Sequence, residues 1–194
     1  MILYLHGFKS SPDSFKARLL GDTLTAHGRA GDYLCPQLPA SPAAAVALAL
    51  TLVRDVPPNQ LTVIGSSLGG FYATWLAERL DCRAVLLNPA VQPPRDLEQY
   101  VGISSAYHSD QPFEFKHAYI DELRALTVPA ITRPERYLLI AATGDEVLDW
   151  REMQAHYPGA QQVIIEGSDH GIADFAEYLA TVLAFCDHPE PPAT

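Results

Sequence analysis

The chain has 194 residues, of which 48% are hydrophobic and 19% are charged. This length and composition predict a single globular domain at residues 1–187, followed by a flexible, proline-rich tail at residues 188–194. The formal net charge is −10, and no cluster of lysine or arginine occurs in the sequence. Because nucleic acids and anionic membrane surfaces bind basic patches, we expect neither as a partner.

The first residues and the cysteine content predict the compartment. The N-terminus has no basic start, and its apolar run ends at His6-Gly7, so we expect no signal peptide. The longest apolar segment, residues 43–50, is far shorter than the ~20 residues that a membrane span needs. Three cysteines are too few and too widely spaced for a disulfide framework. We therefore expect a cytoplasmic protein without a membrane span.

Strands and helices alternate along the first half of the chain. Short apolar runs predict strands at residues 2–5, 33–35, 61–64 and 84–87. Apolar residues at helical spacing predict helices over residues 15–28, 43–53 and 68–80. This alternation predicts an α/β fold with a parallel sheet, whose ligands bind at the carboxyl ends of the strands.

The second half continues this pattern after an irregular stretch. Strands are predicted at residues 137–142 and 162–165, with a short helix from about Trp150 and a last helix from Ile172 to Cys186. Residues 91–134 are too long for a simple strand-to-helix connection, and they predict a lid-like insert. The aromatic residues of this insert either line a ligand pocket or pack the insert against the domain; they are Tyr100, Tyr107, Phe113, Phe115 and Tyr119.

A nucleophile is predicted at the turn after the third strand, in the pattern G-x-S-x-G. Gly65 and Gly69 flank Ser67 at two residues on either side. A strand that reverses sharply into a helix brings these two positions too close to their neighbours for side chains, so glycine fits there. The serine hydroxyl then lies at a helix N-terminus, which favours negative charge. Ser66 lacks this flanking pattern, so we predict Ser67 as the nucleophile.

A serine hydroxyl near neutral pH needs a base within hydrogen-bonding reach. His170 is the predicted base, because it lies in a Gly/Ser/Asp loop directly after the last strand and before the final helix. In hydrolases with a serine on such a turn, the partners follow in the order serine, acid, histidine. His6 also follows a strand, but it belongs to a loop with another predicted role.

The acid that orients the base is predicted to be Asp145, which follows the fifth strand in a Gly-Asp loop. Asp149 is a nearby alternative, but a glutamate three residues after it is typical of a helix N-cap. Asp169 adjoins His170 and is expected to point elsewhere. The oxyanion of an acyl-transfer reaction is expected to bind two backbone N–H groups, those of Leu68 and, in the His6-Gly7 loop, Phe8.

These motifs resemble the YqiA-type esterases, a branch of the α/β-hydrolase superfamily. The residues that carry the resemblance are Leu3-Tyr4-Leu5-His6-Gly7-Phe8, Gly65-Ser66-Ser67-Leu68-Gly69-Gly70-Phe71-Tyr72-Ala73-Thr74-Trp75-Leu76, Asn88-Pro89-Ala90 and Thr143-Gly144-Asp145-Glu146-Val147-Leu148-Asp149. The resemblance implies a compact α/β-hydrolase fold of about six mostly parallel strands in the order 2-1-3-4-5-6, with helices on both faces and an insert after strand 4. It also implies esterase or acyl-CoA thioesterase activity.

The predicted function is hydrolysis of small carboxylic esters or acyl thioesters by a Ser67-His170-Asp145 triad, without metal or organic cofactor. Peptide hydrolysis or acyl transfer by the same triad is an alternative within enzymes. A binding module that keeps the hydrolase fold without turnover is an alternative outside them. The intact triad spacing argues against that last alternative.

Overall fold

The computed structural model describes residues 1–106 and 109–187, so the predicted tail and Tyr107 lie outside the described residues. The strands are β1 (Ile2–Leu5), β2 (Tyr33–Leu34), β3 (Thr62–Ser66), β4 (Arg83–Leu87), β5 (Gly102–Ala106), β6 (Ser109–Phe115), β7 (Tyr137–Ala142) and β8 (Gln161–Ile165). The α-helices are α1 (Phe15–Ala26), α2 (Pro42–Val53), α3 (Leu68–Leu80), α4 (Pro93–Asp96), α5 (His117–Ala125), α6 (Trp150–His156) and α7 (Leu179–Asp187).

Six strands form one parallel sheet in the order β2-β1-β3-β4-β7-β8. Counted among these six, this is the predicted order 2-1-3-4-5-6, and the α/β-hydrolase fold is confirmed. One row of paired residues crosses five of the strands: Leu5, Gly65, Leu86, Leu139 and Gln162. The loops that carry the predicted site residues leave the sheet beyond this row, at the same edge.

The two faces of the sheet are covered by different helices. The side chains of Leu3 and Leu5 lie in a core formed with α2, α3, α5 and α6, whereas those of Ile2 and Tyr4 lie in a core formed with α1 and α7. This alternation along one strand follows from the period of two in a pleated strand. Helices on both faces explain why β1, β3, β4 and β7 are apolar at consecutive positions and wholly buried.

The insert contains regular structure that the sequence pattern did not indicate. β5 and β6 pair as an antiparallel hairpin outside the main sheet, and α4 and α5 flank this hairpin in the chain. α5 buries Ile120 and Leu123 at a helical spacing of three residues. The prolines around these elements made the whole stretch look irregular, although the spacing in α5 is a usable signal.

The last helix was predicted to begin at Ile172, but α7 begins only at Leu179. Ile172 has φ 52°, a left-handed conformation that interrupts a helix, and a single 3₁₀ turn at Phe175–Glu177 precedes α7. The side chains of Ile172 and Phe175 are nevertheless buried in the core with α7, which explains their helix-like spacing. Within the residues described, no helix combines the length and hydropathy that crossing a bilayer requires.

Candidate active site

The turn from β3 into α3 holds Ser67 in a strained backbone conformation, with φ 54° and ψ −120°. A Cβ atom on Gly65 would lie 2.1 Å from the carbonyl oxygen of Gly69, and one on Gly69 would lie 2.0 Å from that of Leu5. These distances are shorter than any real Cβ contact, so both glycines are required by backbone packing. The G-x-S-x-G pattern is therefore a strand-to-helix elbow in this chain.

The end of β4 anchors this elbow. The Ser67 N–H donates to the carbonyl of Leu87 at 3.0 Å, and the Ser67 carbonyl accepts from the N–H groups of Gly70 at 2.9 Å and Ala90 at 3.0 Å. Gly70 also packs against Pro89, because a Cβ at Gly70 would lie 2.6 Å from the Pro89 Cβ. The end of β4 and the segment after it thus hold the backbone of Ser67 by hydrogen bonds and the start of α3 by packing.

The loops after β7 and β8 are hydrogen-bonded to each other. The N–H of Thr143 donates to the carbonyl of Ile165 at 2.8 Å, and the N–H of Gly144 donates to the carbonyl of Gly167 at 3.0 Å. A Cβ at Gly144 would lie 2.2 Å from the carbonyl oxygen of Ser168, so the two loops approach more closely there than another residue would allow. This pairing brings the Gly-Asp loop beside the loop that carries the predicted base.

The structure brings Ser67, His170 and Asp145 together in one hydrogen-bonded chain. His170 Nε2 lies 3.0 Å from Ser67 Oγ, and His170 Nδ1 lies 2.7 Å from Asp145 Oδ2. The Asp145 side chain is fully buried, and its other oxygen, Oδ1, accepts from the N–H groups of Val147 and Leu148, both at 2.8 Å. Three hydrogen bonds thus hold this carboxylate in place against the His170 ring.

This arrangement determines the tautomer of the histidine. Because the Asp145 carboxylate can only accept, the proton of the neutral His170 ring lies on Nδ1. Nε2 then carries a lone pair directed at the Ser67 hydroxyl. The geometry allows His170 to take the hydroxyl proton while Asp145 stabilises the resulting imidazolium.

The two alternative aspartates have other partners. Asp149 Oδ1 accepts from the N–H of Arg151 at 2.9 Å and caps α6, as its spacing predicts. Asp169 Oδ1 accepts from the N–H of Ala173 at 2.9 Å, within its own loop. Neither carboxylate is the one that hydrogen-bonds the His170 ring.

The two predicted oxyanion donors lie on either side of the serine. Leu68 is the first residue of α3, and the His6-Gly7-Phe8 loop passes so close to the elbow that a Cβ on Gly7 would lie 3.2 Å from Ser67 Cβ. Within the described residues, the N–H groups of Phe8 and Leu68 donate to no backbone or side-chain acceptor. Both remain available to a ligand.

The His6 ring holds this loop in place by hydrogen bonds to two backbone groups. Its Nε2 accepts from the N–H of Leu38 at 3.0 Å, so its Nδ1 carries the proton and donates to the Gly7 carbonyl at 3.0 Å. Burial lowers the pKa of His6 below its ordinary value and keeps this ring neutral. His6 therefore supports the loop and is not a second base at the serine.

Comparison with families of known sequences identifies the chain. Residues 1–187 match the family described as Uncharacterised protein family (UPF0227). The chain belongs to UPF0227. This match confirms the resemblance to the YqiA-type proteins that the sequence motifs indicated.

Other proteins resemble this UPF0227 chain more distantly. The α/β hydrolase domain-containing protein 17C of Xenopus tropicalis is 27% identical over 150 residues, which cover 74% of this chain and 44% of that protein. The chain thus spans less than half the length of the curated relatives that it matches.

Solved structures share the fold at low identity. A hydrolase candidate from Agrobacterium vitis S4 superposes with a TM-score of 0.75 at 20% identity, covering 96% of this chain and 87% of the other. The esterase domain of a Rhodothermus marinus protein superposes with a TM-score of 0.62 at 19% identity, covering 95% and 85%. Identities this low establish the α/β-hydrolase fold alone.

A cavity of about 420 Å³ opens at Ser67 in this UPF0227 protein. Its apolar wall comes from four parts of the chain: Phe8 and Phe15 near β1, Leu68 and Ala90 at the elbow, Leu97 and Tyr100 in the insert, and Val147 and Leu148 after β7. Phe15, Tyr100 and Val147 are among the few exposed large apolar side chains, and all three lie around this cavity.

The aromatic residues of the insert were predicted either to line a ligand pocket or to pack the insert against the domain, and both roles occur. Tyr100 lines the cavity, whereas Phe115 is fully buried and packs on Tyr119 with ring centroids 5.5 Å apart. Phe113 and Phe115 also pack edge-on against Phe8, at 5.2 and 5.1 Å. Most of these rings therefore fasten the insert to the domain rather than line the cavity.

The sequence analysis assigned no individual role to three polar residues beside the triad. Asn88 and Lys16 bind carbonyl oxygens of the His170 loop, and the Glu146 carboxylate accepts from the His170 backbone N–H at 3.0 Å. Asn88 and Glu146 stand in the sequence blocks that carry the resemblance, but without a role of their own, and Lys16 is a single charge within a helical pattern. The sequence signal that could have indicated such residues is a polar or charged residue at a position where the surrounding pattern predicts a buried apolar side chain.

Proposed function

We propose that this UPF0227 protein is a serine hydrolase of small carboxylic esters or acyl thioesters. The observation that carries the proposal is the chain of hydrogen bonds from Ser67 Oγ through His170 to Asp145, at 3.0 and 2.7 Å, at the mouth of the cavity. Nucleophile, base and orienting acid in these contacts are the arrangement that acyl transfer to a serine requires.

In the first half-reaction, His170 Nε2 takes the proton of the Ser67 hydroxyl as the oxygen attacks the acyl carbon. The carbonyl oxygen of the substrate becomes an oxyanion, which the N–H groups of Phe8 and Leu68 stabilise. The imidazolium formed at His170 is stabilised by the buried carboxylate of Asp145. His170 then protonates the leaving alcohol or thiol, and the acyl group remains on Ser67.

In the second half-reaction, water replaces the leaving group. His170 Nε2 takes a proton from that water, which attacks the acyl-enzyme carbonyl and gives the same oxyanion in the same place. The proton returns to Ser67 Oγ as the acid departs. These steps require only side chains, two backbone N–H groups and water, so we propose no metal and no organic cofactor.

The cavity wall favours an apolar acyl group. Leu97, Tyr100, Val147 and Leu148 line the cavity together with Ser67 and present apolar surface on which an acyl chain can pack. Residues 91–134 contribute Leu97 and Tyr100, which supports their proposed role as a lid-like insert. The Rhodothermus marinus protein that shares this fold is described as an esterase domain, which is consistent with this substrate class.

A fluorophosphonate probe is expected to add one label per molecule, at Ser67. The probe reacts only with a serine whose hydroxyl is deprotonated by a neighbouring base and whose developing oxyanion is stabilised. Mass spectrometry of the intact protein and of its peptides measures the label and its position, and heat-denatured protein serves as the unreactive control. A folded protein without label at Ser67 would contradict the proposal.

The length of the acyl group is expected to govern kcat/KM. Each methylene buried in the cavity contributes about 0.8 kcal/mol, or about a fourfold rise in kcat/KM, until the chain reaches the exposed rim. A series of p-nitrophenyl esters and acyl-CoAs of increasing length measures this rise and separates ester from thioester preference. Labelling of Ser67 without turnover in any of them would favour a binding module, and transfer of the acyl group to an amine would favour an acyltransferase.

A further inference from the structure

Three consecutive backbone carbonyls, those of Asp169, His170 and Gly171, are each bound by a buried polar side chain from another part of the chain. Building on the proposed function, we propose that Asn88 and Lys16, which supply these donors, are positioning residues that hold the His170 loop at the distance from Ser67 that proton transfer requires. Neither residue touches Ser67 in the described contacts, so each acts through the histidine.

Asn88 ties the histidine loop to the sheet. Its side-chain Nδ2 donates to the carbonyls of Asp169 at 3.0 Å and His170 at 3.1 Å, while its Oδ1 accepts from the N–H of Ala142 at 2.8 Å. The residue is fully buried and has φ 43°, a conformation that asparagine tolerates better than most residues. One amide group thus joins the ends of β4 and β7 to the loop after β8.

Lys16 holds the next carbonyl from a different element. It lies in the first turn of α1, the residue is only 7% exposed, and its Nζ donates to the carbonyl of Gly171. Lys16 and His170 both line the cavity. Because α1 packs on one face of the sheet and Asn88 extends from its edge, the loop is held between two rigid elements.

A buried ammonium group is costly unless negative charge lies nearby. Burial lowers the pKa of Lys16 to about 8, and the carboxylates of Asp169 and Asp145 oppose that shift. The other titratable groups on the cavity wall are His170, Tyr4, Tyr100 and Asp96. Lys16 is therefore charged below about pH 8, and the charged ammonium strengthens its hydrogen bond to the Gly171 carbonyl.

Two consequences distinguish this role from general support of the fold. A loop that is released by about 1 Å misplaces the base, so kcat is expected to fall by about 10- to 100-fold with little change in KM. Lys16→Arg keeps a cation and a donor that can reach the Gly171 carbonyl, so it is expected to restore kcat, which an apolar residue of similar length does not.

The test measures the rate of fluorophosphonate labelling at Ser67 and the kcat and KM of p-nitrophenyl ester hydrolysis in four variants. Lys16→Met and Asn88→Ala each remove a donor, Lys16→Arg is the conservative variant, and Lys116→Met replaces an exposed lysine far along the chain as the matched control. Labelling and kcat are expected to slow by about 10- to 100-fold in the first two and to stay at the wild-type value in the control.

Thermal unfolding of each variant, followed by circular dichroism, shows which of them are folded at the assay temperature. If Asn88→Ala does not fold, Lys16→Met still decides the question. A folded Lys16→Met that labels at the wild-type rate and hydrolyses the ester with the wild-type kcat overturns this inference alone. A wild-type protein without label at Ser67 overturns the proposed function and this inference with it.

Discussion

Replacing Ser67 with alanine is expected to lower kcat/KM for p-nitrophenyl esters by about 10⁴-fold or more, with the fold unchanged. In the proposed mechanism the Ser67 oxygen forms the covalent bond to the acyl group, and neither His170 nor the two N–H groups can do so in its absence. The residual rate would come from a water molecule that uses the same base and the same oxyanion donors. Steady-state kinetics with a fluorometric or p-nitrophenyl substrate measure the loss.

Ser66 provides the matched control for this result. It precedes Ser67 directly, lines the same cavity and has a hydroxyl of the same chemistry, but it does not hydrogen-bond His170. We expect Ser66→Ala to lose less than tenfold in kcat/KM. Equal losses in the two variants would mean that the cavity wall, rather than a nucleophile at residue 67, governs the reaction.

Replacing Gly69 with alanine is expected to destabilise the protein by about 1–3 kcal/mol or more. The new Cβ would lie 2.0 Å from the carbonyl oxygen of Leu5 and 2.6 Å from its carbonyl carbon, and backbone atoms cannot rotate away as a side chain can. α3 must therefore shift away from β1. This shift also separates Leu68 from Phe8, so we expect kcat to fall in whatever fraction remains folded.

Urea unfolding of Gly69→Ala and of Gly31→Ala measures the effect and its control. A Cβ at Gly31 would meet nothing within 4 Å, so this second variant is expected to change the free energy of unfolding by less than about 0.5 kcal/mol. Similar midpoints for the two variants would show that the elbow has more freedom than its contacts indicate.

The sequence was most informative where several short-range signals agree. The apolar runs at residues 2–5 and 137–142 predict buried parallel strands because a sheet covered on both faces needs apolar side chains at every position. Asp149 was assignable to a helix cap because capping depends on only three or four consecutive residues. The glycines at 65 and 69 indicate that backbone segments approach each other so closely there that only glycine fits.

The parts that the sequence did not predict depend on contacts between distant residues. Asn88 binds the loop of His170 across a sequence separation of 82 residues, and Lys16 binds Gly171 across 155. Nothing within ten residues of either indicates such a partner. The left-handed Ile172 is similar, because its conformation is imposed by the loop that precedes it while its apolar side chain still satisfies a helical pattern.

The contacts of Phe8 limit how the insert can be exchanged. Its ring packs against Tyr100, Phe113 and Phe115 with centroids 5.1 to 5.7 Å apart, and its own backbone N–H is the proposed oxyanion donor. A chimera that grafts a relative's insert to acquire its substrate range would also remove the rings that fix this donor. Under the proposed function, one aromatic cluster would thus couple substrate range to catalytic rate, and a successful graft would have to carry matching rings at these three positions.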